Sequence, residues 1–260
     1  MSVKKKRLST EDSEEIENWD RDRTAFNSSK ALTGKIEIKC RSKAQKEVVD
    51  AIEKKVITII TGPPGTGKTY LSCARAVKFI KDEALTYRKI VLIKSVNVPK
   101  DEEIGFLKGT LEEKMEMYMY PFISNFHKVV GKATTEYLQS HGIIEILPIK
   151  FALGVTLDDS IIIVDEAQQI SKDNLRTLIT RIGNNAKMIF LGDIKQKSVN
   201  KREKSALEIL KEHFTEIDEI GIVELGKEDI VRHPIIKKIE DIFDRIEESE
   251  GLNGKSSQNK

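Results

Sequence analysis

The 260-residue chain has few cysteines and no long apolar run. Cys40 and Cys73 are its two cysteines, and they lack the spacing of a zinc site. We interpret both as small buried hydrophobic residues, as expected of a protein in the reducing cytoplasm. No stretch approaches the roughly 18 consecutive apolar residues of a transmembrane helix. The sequence therefore predicts a cytoplasmic protein without a membrane-spanning segment.

A strong excess of one charge is also absent. Lys and Arg number 44 and Asp and Glu number 42, which leaves a formal net charge of +2. Because a near-neutral molecule has little overall field to attract a polyanion, a globally basic nucleic-acid coat protein is excluded. The four histidines are dispersed, and no two have the spacing of metal ligands.

The two ends of the chain are charge-rich and carry only scattered apolar residues. We assign residues 1–30 to a disordered N-terminal tail and residues 250–260 to a flexible C-terminal tail. Residues 31–249 are assigned to one domain, within which about 96–150 form an insertion. A basic run in the N-terminal tail could contact phosphates, although such runs are usually solvated.

Between the tails, short β-branched runs alternate with segments of helical periodicity. One predicted helix follows the glycine-rich loop and contains Tyr70 and Ile80, and another begins after Ser171 and ends at Gly183. This alternation predicts an α/β fold, in which a parallel sheet carries helices on both faces. The predicted buried strands are 56–61, 89–95, 160–166, 187–192 and 220–225, with an added strand at 143–149.

The stretch TGPPGTGKTY at residues 61–70 contains the pattern G-x-x-x-x-G-K-[ST] between a predicted strand and a predicted helix. In such a loop, backbone N–H groups and the helix dipole hold the negative charge of a triphosphate. We expect Lys68 to reach the β and γ phosphates and the Thr69 hydroxyl to bind Mg²⁺. The alternative is a glycine-rich turn with a surface lysine. The predicted binding residues are Gly62, Pro63, Pro64, Gly65, Thr66, Gly67, Lys68, Thr69 and Tyr70.

Asp165 and Glu166 follow an apolar run at the carboxyl end of a predicted strand, where open α/β sheets bind ligands. We interpret Asp165 as a Mg²⁺ ligand, usually through a water molecule. Glu166 would orient and deprotonate the attacking water. A solvated loop could also carry two adjacent acids, but the preceding phosphate-binding pattern favours catalysis.

The segment GDIKQ at residues 192–196 follows another predicted strand. We interpret Gln196 as a contact to the γ-phosphate and the attacking water. Without its context, the same segment would be an ordinary polar turn.

The order of these motifs resembles that of the PhoH-like family, P-loop ATPases akin to superfamily 1 helicase cores. The resemblance covers about residues 40–245. It implies a RecA-like P-loop NTPase of the additional-strand, catalytic-glutamate type that uses ATP and Mg²⁺. Besides TGPPGTGKTY, the motifs that carry it are GFLKGTLEEKM (105–115), VDEAQ (164–168), TRIGNNAK (180–187), GDIKQ (192–196) and VRHPII (231–236).

The resemblance alone implies two further site residues. Gln45 resembles an upstream glutamine that contacts the adenine edge. Arg232 resembles an arginine that contacts the γ-phosphate, of its own or of a neighbouring subunit. Taken without the family, both would be interpreted as exposed surface residues.

The chain also departs from the family pattern. Residues 152–157 are ALGVTL where the family commonly has MRGRTL, and residues 198–200 are SVN where it has DLP. We expect any function of the two missing arginines to be reduced or relocated. The short polar N-terminal segment resembles the stand-alone ATPase form, and the lysine- and isoleucine-rich composition is compatible with an AT-rich microbial or phage genome.

A basic cluster follows GDIKQ and could bind the phosphates of RNA or single-stranded DNA. It lacks the interleaved aromatic residues that stack on bases, so a solvated surface is the alternative. Because one ATPase core cannot alternate grips, translocation would require a homo-oligomer, and the resemblance suggests a hexameric ring. The cluster comprises Lys195, Lys197, Lys201, Arg202 and Lys204.

Three functions remain open at the level of the sequence. The first is an ATP-hydrolysing motor or remodeller on RNA, and the second is an ATP-dependent switch that gates a protein partner through the 96–150 insertion. The third is a small-molecule kinase. The kinase fits poorly, because a glutamate next to the metal-binding aspartate activates water.

Overall fold

The structure is a computed structural model that describes residues 28, 30–94, 111–196 and 204–256, without side chains at 111–118 and 247–256. The helices are α1 (Lys43–Lys54), α2 (Lys68–Asp82), α3 (Leu111–Val130), α4 (Lys132–Ser140), α5 (Ile149–Ala152), α6 (Lys172–Ile179), α7 (Ala206–His213) and α8 (Ile235–Ser256). The strands are β1 (Ile57–Thr61), β2 (Lys89–Lys94), β3 (Ile144–Ile146), β4 (Ser160–Asp165), β5 (Lys187–Gly192) and β6 (Ile220–Glu224). Short 3₁₀ helices span Ala167–Gln169 and Lys227–Asp229.

The six strands form one parallel sheet in the order β3-β2-β4-β5-β1-β6. Ile57 of β1 pairs with Met188 of β5 on one side and with Ile220 of β6 on the other. Strand β5 therefore separates β1, which leads into the glycine-rich loop, from β4, which ends in Asp165. The predicted α/β parallel sheet is confirmed.

Alternate side chains of the central strands enter two cores, one on each face of the sheet. Ile161 and Ile163 of β4 pack with α1 to α4, whereas Ile162 and Val164 pack with α6 and α7. All four side chains are fully buried. Burial of an aliphatic side chain of this size contributes about 1.5–3 kcal/mol. The two cores therefore fix the carboxyl ends of the strands, from which the site residues project.

The two edge strands differ from their predictions. Strand β6 is only half-buried and Glu224 is exposed, because β6 pairs with β1 alone. Its prediction as a buried strand is therefore wrong. The predicted strand at 143–149 is limited to the three residues of β3, which pair with β2. Pro148 has no N–H to extend the pairing and instead precedes α5.

Helix α6 begins as predicted but ends early. The Ser171 hydroxyl caps it by accepting a hydrogen bond from the Asn174 N–H at 3.4 Å. The helix ends at Ile179, one turn before the predicted stop at Gly183. The Gly183 N–H instead donates to the Leu157 carbonyl, and a Cβ at Gly183 would lie 2.1 Å from an Asp158 carboxylate oxygen. Gly183 therefore allows two parts of the chain to approach closely at Asp158.

The segment 111–150 packs on the domain through α3, whose Phe122 and Phe126 are buried in the same core as α2. Helix α8 runs to Ser256 and so extends into the segment that the sequence assigned to a C-terminal tail. The boundaries of the domain and the tails stay predictions. None of the helices in the described part of the chain is long and apolar enough to cross a membrane.

Candidate nucleotide-binding site

The loop between β1 and α2 is built on glycines with positive φ. Gly62, Gly65 and Gly67 have φ values of 147°, 88° and 88°. A Cβ at Gly62 would lie 2.4 Å from the Leu225 carbonyl oxygen, and one at Gly65 would lie 2.9 Å from Arg232 Cδ. Glycine is thus required here for both conformation and space. The predicted strand, loop and helix are present.

This loop presents unpaired donors. Within the described ranges, no acceptor takes the backbone N–H groups of residues 65–69. Gly67 caps α2 without a side-chain hydrogen bond. The partial positive charge of the helix N-terminus adds to these donors. The arrangement can hold an anion, as such loops hold phosphate groups.

The Lys68 side chain folds back over the loop. Its Nζ donates to the carbonyl oxygens of Gly62 at 2.5 Å and Pro63 at 2.9 Å. Burial lowers the pKa of Lys68, while the carboxylates of Asp193, Asp165 and Glu166 oppose that shift. The ammonium group therefore lies within electrostatic reach of three acids at the carboxyl ends of β4 and β5.

Asp165 ends β4, and Glu166 turns the chain in a left-handed conformation with φ 53°. Burial, and then the neighbouring Glu166 charge, raises the pKa of Asp165 to about 6. Lys94 and Lys68 partly oppose this shift. A cation beside Asp165 would favour the ionised carboxylate.

Gln168 joins the two acidic segments, a role that the sequence analysis missed. Its Nε2 donates to Glu166 Oε2 at 2.7 Å, and its Oε1 accepts from the Asp193 N–H at 3.3 Å. A Cβ at Gly192 would lie 2.1 Å from Gln168 Oε1. Gly192 therefore leaves the space that the buried glutamine occupies. The motif VDEAQ contains Gln168, but periodicity does not indicate where its side chain points.

The segment GDIKQ turns directly after β5. Asp193 Oδ1 accepts from the Lys195 N–H at 3.0 Å, and the Asp193 carbonyl accepts from the Gln196 N–H at 3.2 Å. Burial raises the pKa of Asp193, against the Lys195 N–H and the Lys68 charge. The turn is compact and leaves Gln196 exposed at the site.

Gln45 is not an exposed helix residue; that alternative is wrong, since only 2% of the residue is exposed. Its Nε2 donates to the Thr66 carbonyl at 2.9 Å, and its Oε1 accepts from the Arg41 N–H at 2.7 Å. These bonds attach the segment before α1 to the phosphate-binding loop.

Arg232 is exposed, and it lies in its own chain's site. The preceding Val231 N–H donates to the Gly65 carbonyl at 3.0 Å, and the Arg232 side chain packs on Gly65. Its charge also contributes to lowering the pKa of Lys68. The segment after β6 therefore closes over the glycine-rich loop.

These residues surround one cavity of about 530 Å³, within the usual volume range of small-ligand sites. Three predicted residues lie outside its lining: Gly62 and Pro63 line a second cavity behind the loop, and Thr66 is buried. The predicted residues in the lining are Gln45, Pro64, Gly65, Gly67, Lys68, Thr69, Tyr70, Asp165, Glu166, Gln196 and Arg232. The other lining residues, for which the sequence predicts no role, are Lys39, Arg41, Leu71, Asn125, Lys128, Gln168, Gly192, Asp193 and Val231.

The family model described as "PhoH-like protein" matches residues 37–244. The chain belongs to the PhoH-like family. It is 39% identical over 208 residues to the PhoH-like protein of Bacillus subtilis, a match that covers 80% of this chain and 64% of that protein. It is 32% identical over 205 residues to Protein PhoH of Escherichia coli K12, covering 77% and 56%. The chain thus spans about 56–64% of the length of these relatives.

Among solved structures, the large terminase of a thermophilic bacteriophage is similar with a TM-score of 0.43 and 13% identity, covering 76% of this chain and 49% of that one. The glycine-rich loop, the sheet order and membership of the PhoH-like family together give a P-loop NTPase fold. The resemblance and the fold class inferred from the sequence are confirmed.

Mg²⁺ would fit this PhoH-like site only together with a phosphate ligand. In the part of the chain that the structure describes, no three His, Cys, Asp or Glu side chains could hold an ion by themselves. The Thr69 hydroxyl and Asp165 line the same cavity. Mg²⁺ commonly binds one or two such groups, completed by phosphate oxygens and water.

The basic cluster after GDIKQ is only partly described. Lys195 pairs with Asp244 at 2.8 Å, and Lys204 forms an ion pair with Glu212. Lys197, Lys201 and Arg202 lie outside the described residues, as do most of GFLKGTLEEKM and the SVN departure. Both described members of the cluster therefore already have carboxylate partners within the chain.

Proposed function

We propose that this PhoH-like chain binds ATP with Mg²⁺ and hydrolyses the β–γ anhydride. The main support for the proposal is that two sets of groups line the same cavity. Unpaired loop amides and Lys68 form one wall, and Asp165 with Glu166 forms another. A triphosphate bound by the first wall would present its terminal phosphate to the second.

In this proposal, the amides of residues 65–69 and Lys68 bind the β and γ phosphates. The Thr69 hydroxyl and Asp165 would hold the metal ion. Bound Mg²⁺ would supply neutralisation of phosphate charge. The raised pKa of Asp165 fits this role, because burial and the adjacent Glu166 charge disfavour the ionised carboxylate and a bound cation would favour it.

Glu166 is the base in this proposal. Its carboxylate would accept a proton from the attacking water, and Gln168 fixes one of its oxygens, Oε2, at 2.7 Å. The other oxygen remains for the water. Gln196 and Arg232 would contact the γ-phosphate oxygens, where negative charge must be stabilised during transfer.

Gln45 supports adenine as the base. Its Nε2 uses one hydrogen for the Thr66 carbonyl, and an amide nitrogen carries a second. That hydrogen and the second lone pair of Oε1 could form a donor and acceptor pair toward the adenine edge. Tyr70 lines the same cavity and offers an aromatic ring.

Equilibrium titration with ATP tests the site. We expect Lys68→Ala to abolish measurable binding, because it removes the cation at the phosphates. Lys78→Ala is the matched control: Lys78 lies on the same helix, pairs with Asp82 and is outside the cavity. Unchanged affinity in Lys68→Ala would contradict the site assignment.

We further propose that hydrolysis is coupled to RNA or single-stranded DNA in a homo-oligomer. The support is position: the basic cluster begins beside Gln196, which would contact the γ-phosphate. The ion pairs of Lys195 and Lys204 favour a second candidate, an ATP-dependent switch that acts on a protein partner.

ATP turnover with and without single-stranded RNA separates the two candidates. A motor predicts RNA stimulation that falls with rising salt and vanishes in Glu166→Gln. A switch predicts no stimulation and slow release of bound ATP. Glu136→Gln, an exposed substitution beside Lys132, is the control for loss of one carboxylate.

A further inference from the structure

The nucleotide cavity has a basic wall, formed by Lys39, Arg41 and Lys128. The carboxylates that line the cavity lie elsewhere, at the carboxyl ends of β4 and β5. Burial raises the pKa values of Asp165 and Asp193, and the lysines that oppose these shifts lie outside the basic wall. The basic wall is therefore separate from the acids that would act on the γ-phosphate.

Two separate segments hold the basic wall in place. The Arg41 N–H donates to Gln45 Oε1 at 2.7 Å, which attaches the segment before α1 to the residue that would contact adenine. Lys128 belongs to α3, whose Phe122 and Phe126 are buried in the same core as α2. The fold therefore places these side chains beside the base and sugar of a nucleotide whose phosphates lie at the start of α2.

In the described part of the chain, no side chain of the basic wall forms an ion pair. The charge of Lys39 helps to lower the pKa of Glu37, but the Glu37 carboxylate pairs with Lys35 at 2.9 Å. Lys195 and Lys204 differ in this respect, because both pair with carboxylates of the chain. Basic side chains that line a cleft without neighbouring acids raise the local concentration of anions.

ATP in the proposed position would leave the basic wall without an anion. Its base would lie at Gln45, and its 5′ phosphates would lie at the loop amides and Lys68. The 2′ and 3′ hydroxyls belong to the sugar edge that bears neither of these groups. Asn125 lines the same cavity, and the Pro121 carbonyl takes only one of its amide hydrogens at 2.9 Å. Such an amide suffices for neutral hydroxyls, so three positive charges exceed what ATP requires.

We propose that Lys39, Arg41 and Lys128 bind a phosphate group on the 2′ or 3′ oxygen of the bound nucleotide. The inference rests on the proposed nucleotide site and adds a second phosphate subsite to it. Lysine and arginine form charge-assisted hydrogen bonds to phosphate oxygens, which are about twice as strong as neutral ones. The ligand class is a nucleotide phosphorylated on its 5′ oxygen and on its sugar edge. A free nucleotide can carry this group, and so can the first nucleotide of an RNA.

Calorimetric titration of the full chain with ADP, with its 2′-phosphate and with its 3′-phosphate is the first test. ADP carries no phosphate on its sugar edge and is the reference. We expect at least one phosphorylated form to bind roughly tenfold more tightly than ADP, a difference of about 1.4 kcal/mol. This gain should shrink as the salt concentration rises, because the three basic side chains are exposed. Binding of both forms no tighter than that of ADP would overturn the proposal.

The double substitution Lys39→Ala with Lys128→Ala tests the residues. The measured quantity is the ratio of the affinities for the phosphorylated form and for ADP, which a partial loss of folded protein does not change. We expect this ratio to fall from roughly ten toward one. Lys78→Ala with Lys132→Ala is the matched control, because both lysines lie outside the cavity and pair with carboxylates on their own helices. A wild-type ratio in the first variant would refute the assignment.

A dinucleotide separates the two sources of the phosphate. In this probe, the 3′ oxygen of ADP is joined to the 5′ phosphate of a second adenosine. Tighter binding of the dinucleotide than of ADP would identify the 5′ end of an RNA as a ligand, whereas a gain confined to the phosphate monoesters would identify a free nucleotide. The failures also differ. If ADP itself does not bind, the nucleotide site and the subsite are both wrong; if ADP binds and no sugar phosphate adds affinity, the subsite alone is wrong.

Discussion

Gln168 offers the sharpest test of the catalytic arrangement, because its buried amide bonds to the proposed base on one side and to the GDIKQ turn on the other. Gln168→Leu keeps a similar volume and removes both hydrogen bonds. Glu166 Oε2 loses its donor at 2.7 Å, and the Asp193 N–H loses its acceptor at 3.3 Å. The base becomes free to rotate away from the water, while the phosphate-binding loop is untouched.

The size of the effect follows from these two losses. General-base catalysis contributes about 10²–10⁴-fold, so releasing the base should lower kcat roughly 10- to 100-fold. A buried N–H without an acceptor costs about 1–3 kcal/mol of stability. The affinity for ATP should change by less than about threefold, because Lys68 and the loop amides lie on the other wall of the cavity.

Steady-state phosphate release, ATP titration and thermal unfolding measure these three quantities. Gln139→Leu, a partly buried glutamine on α4 outside the cavity, is the matched control and should leave kcat unchanged. A folded Gln168→Leu protein with wild-type kcat would show that the bond to Glu166 has no catalytic consequence.

Three further results are expected. Gly192→Ala should displace the Gln168 amide, lower kcat as Gln168→Leu does and destabilise the fold by about 1–3 kcal/mol; at Gly34, an added Cβ meets nothing within 4 Å, so Gly34→Ala is the control. The pKa of Asp165 is raised to about 6, so protons compete below that value, and apparent Mg²⁺ affinity should be about tenfold weaker at pH 5 than at pH 8. Asp165→Asn should raise the free energy of unfolding at pH 8 by on the order of 3 kcal/mol while abolishing turnover.

The sign of the last result follows from the direction of the shift. A carboxyl whose folded pKa is raised stabilises the fold below its unfolded pKa of about 3.9 and loses that contribution as pH rises through about 6. Asp165→Asn does not lose stability in this way as the pH rises, because its amide does not ionise. Thermal unfolding from pH 4 to pH 8 measures it. A constant stability difference between Asp165→Asn and wild type across this range would contradict the account of a carboxylate destabilised by burial.

The parts of the site that sequence predicts well are those that backbone geometry constrains. The loop needs glycine at Gly62, Gly65 and Gly67 because their φ angles are positive. The glycine spacing in the sequence therefore predicts the conformation of the loop. Asp165 and Glu166 follow an apolar strand, and parallel strands place such residues at one edge of the sheet. The phosphate-binding loop and the two acids line the same cavity, and their roles stay predictions.

Most of the cavity residues that the sequence did not predict depend on the direction in which a side chain points. Glu166 adopts a left-handed conformation that turns Gln168 back under the acids, and no periodicity signals that turn. Asn125 and Lys128 reach the cavity from α3, which belongs to no phosphate-binding motif. In α8 the periodicity predicts an apolar face. The ion pairs of Lys195 and Lys227 with Asp244 on the polar face leave that apolar face turned outward.

A crystal structure of Glu166→Gln with ATP and Mg²⁺ is the decisive test of the proposed site, because that variant should retain the nucleotide without hydrolysing it. We expect the γ-phosphate to lie against Lys68 and Gln196, and the metal ion to be held by the Thr69 hydroxyl and Asp165. A triphosphate bound elsewhere, or bound here with its γ-phosphate turned away from residue 166, would contradict it.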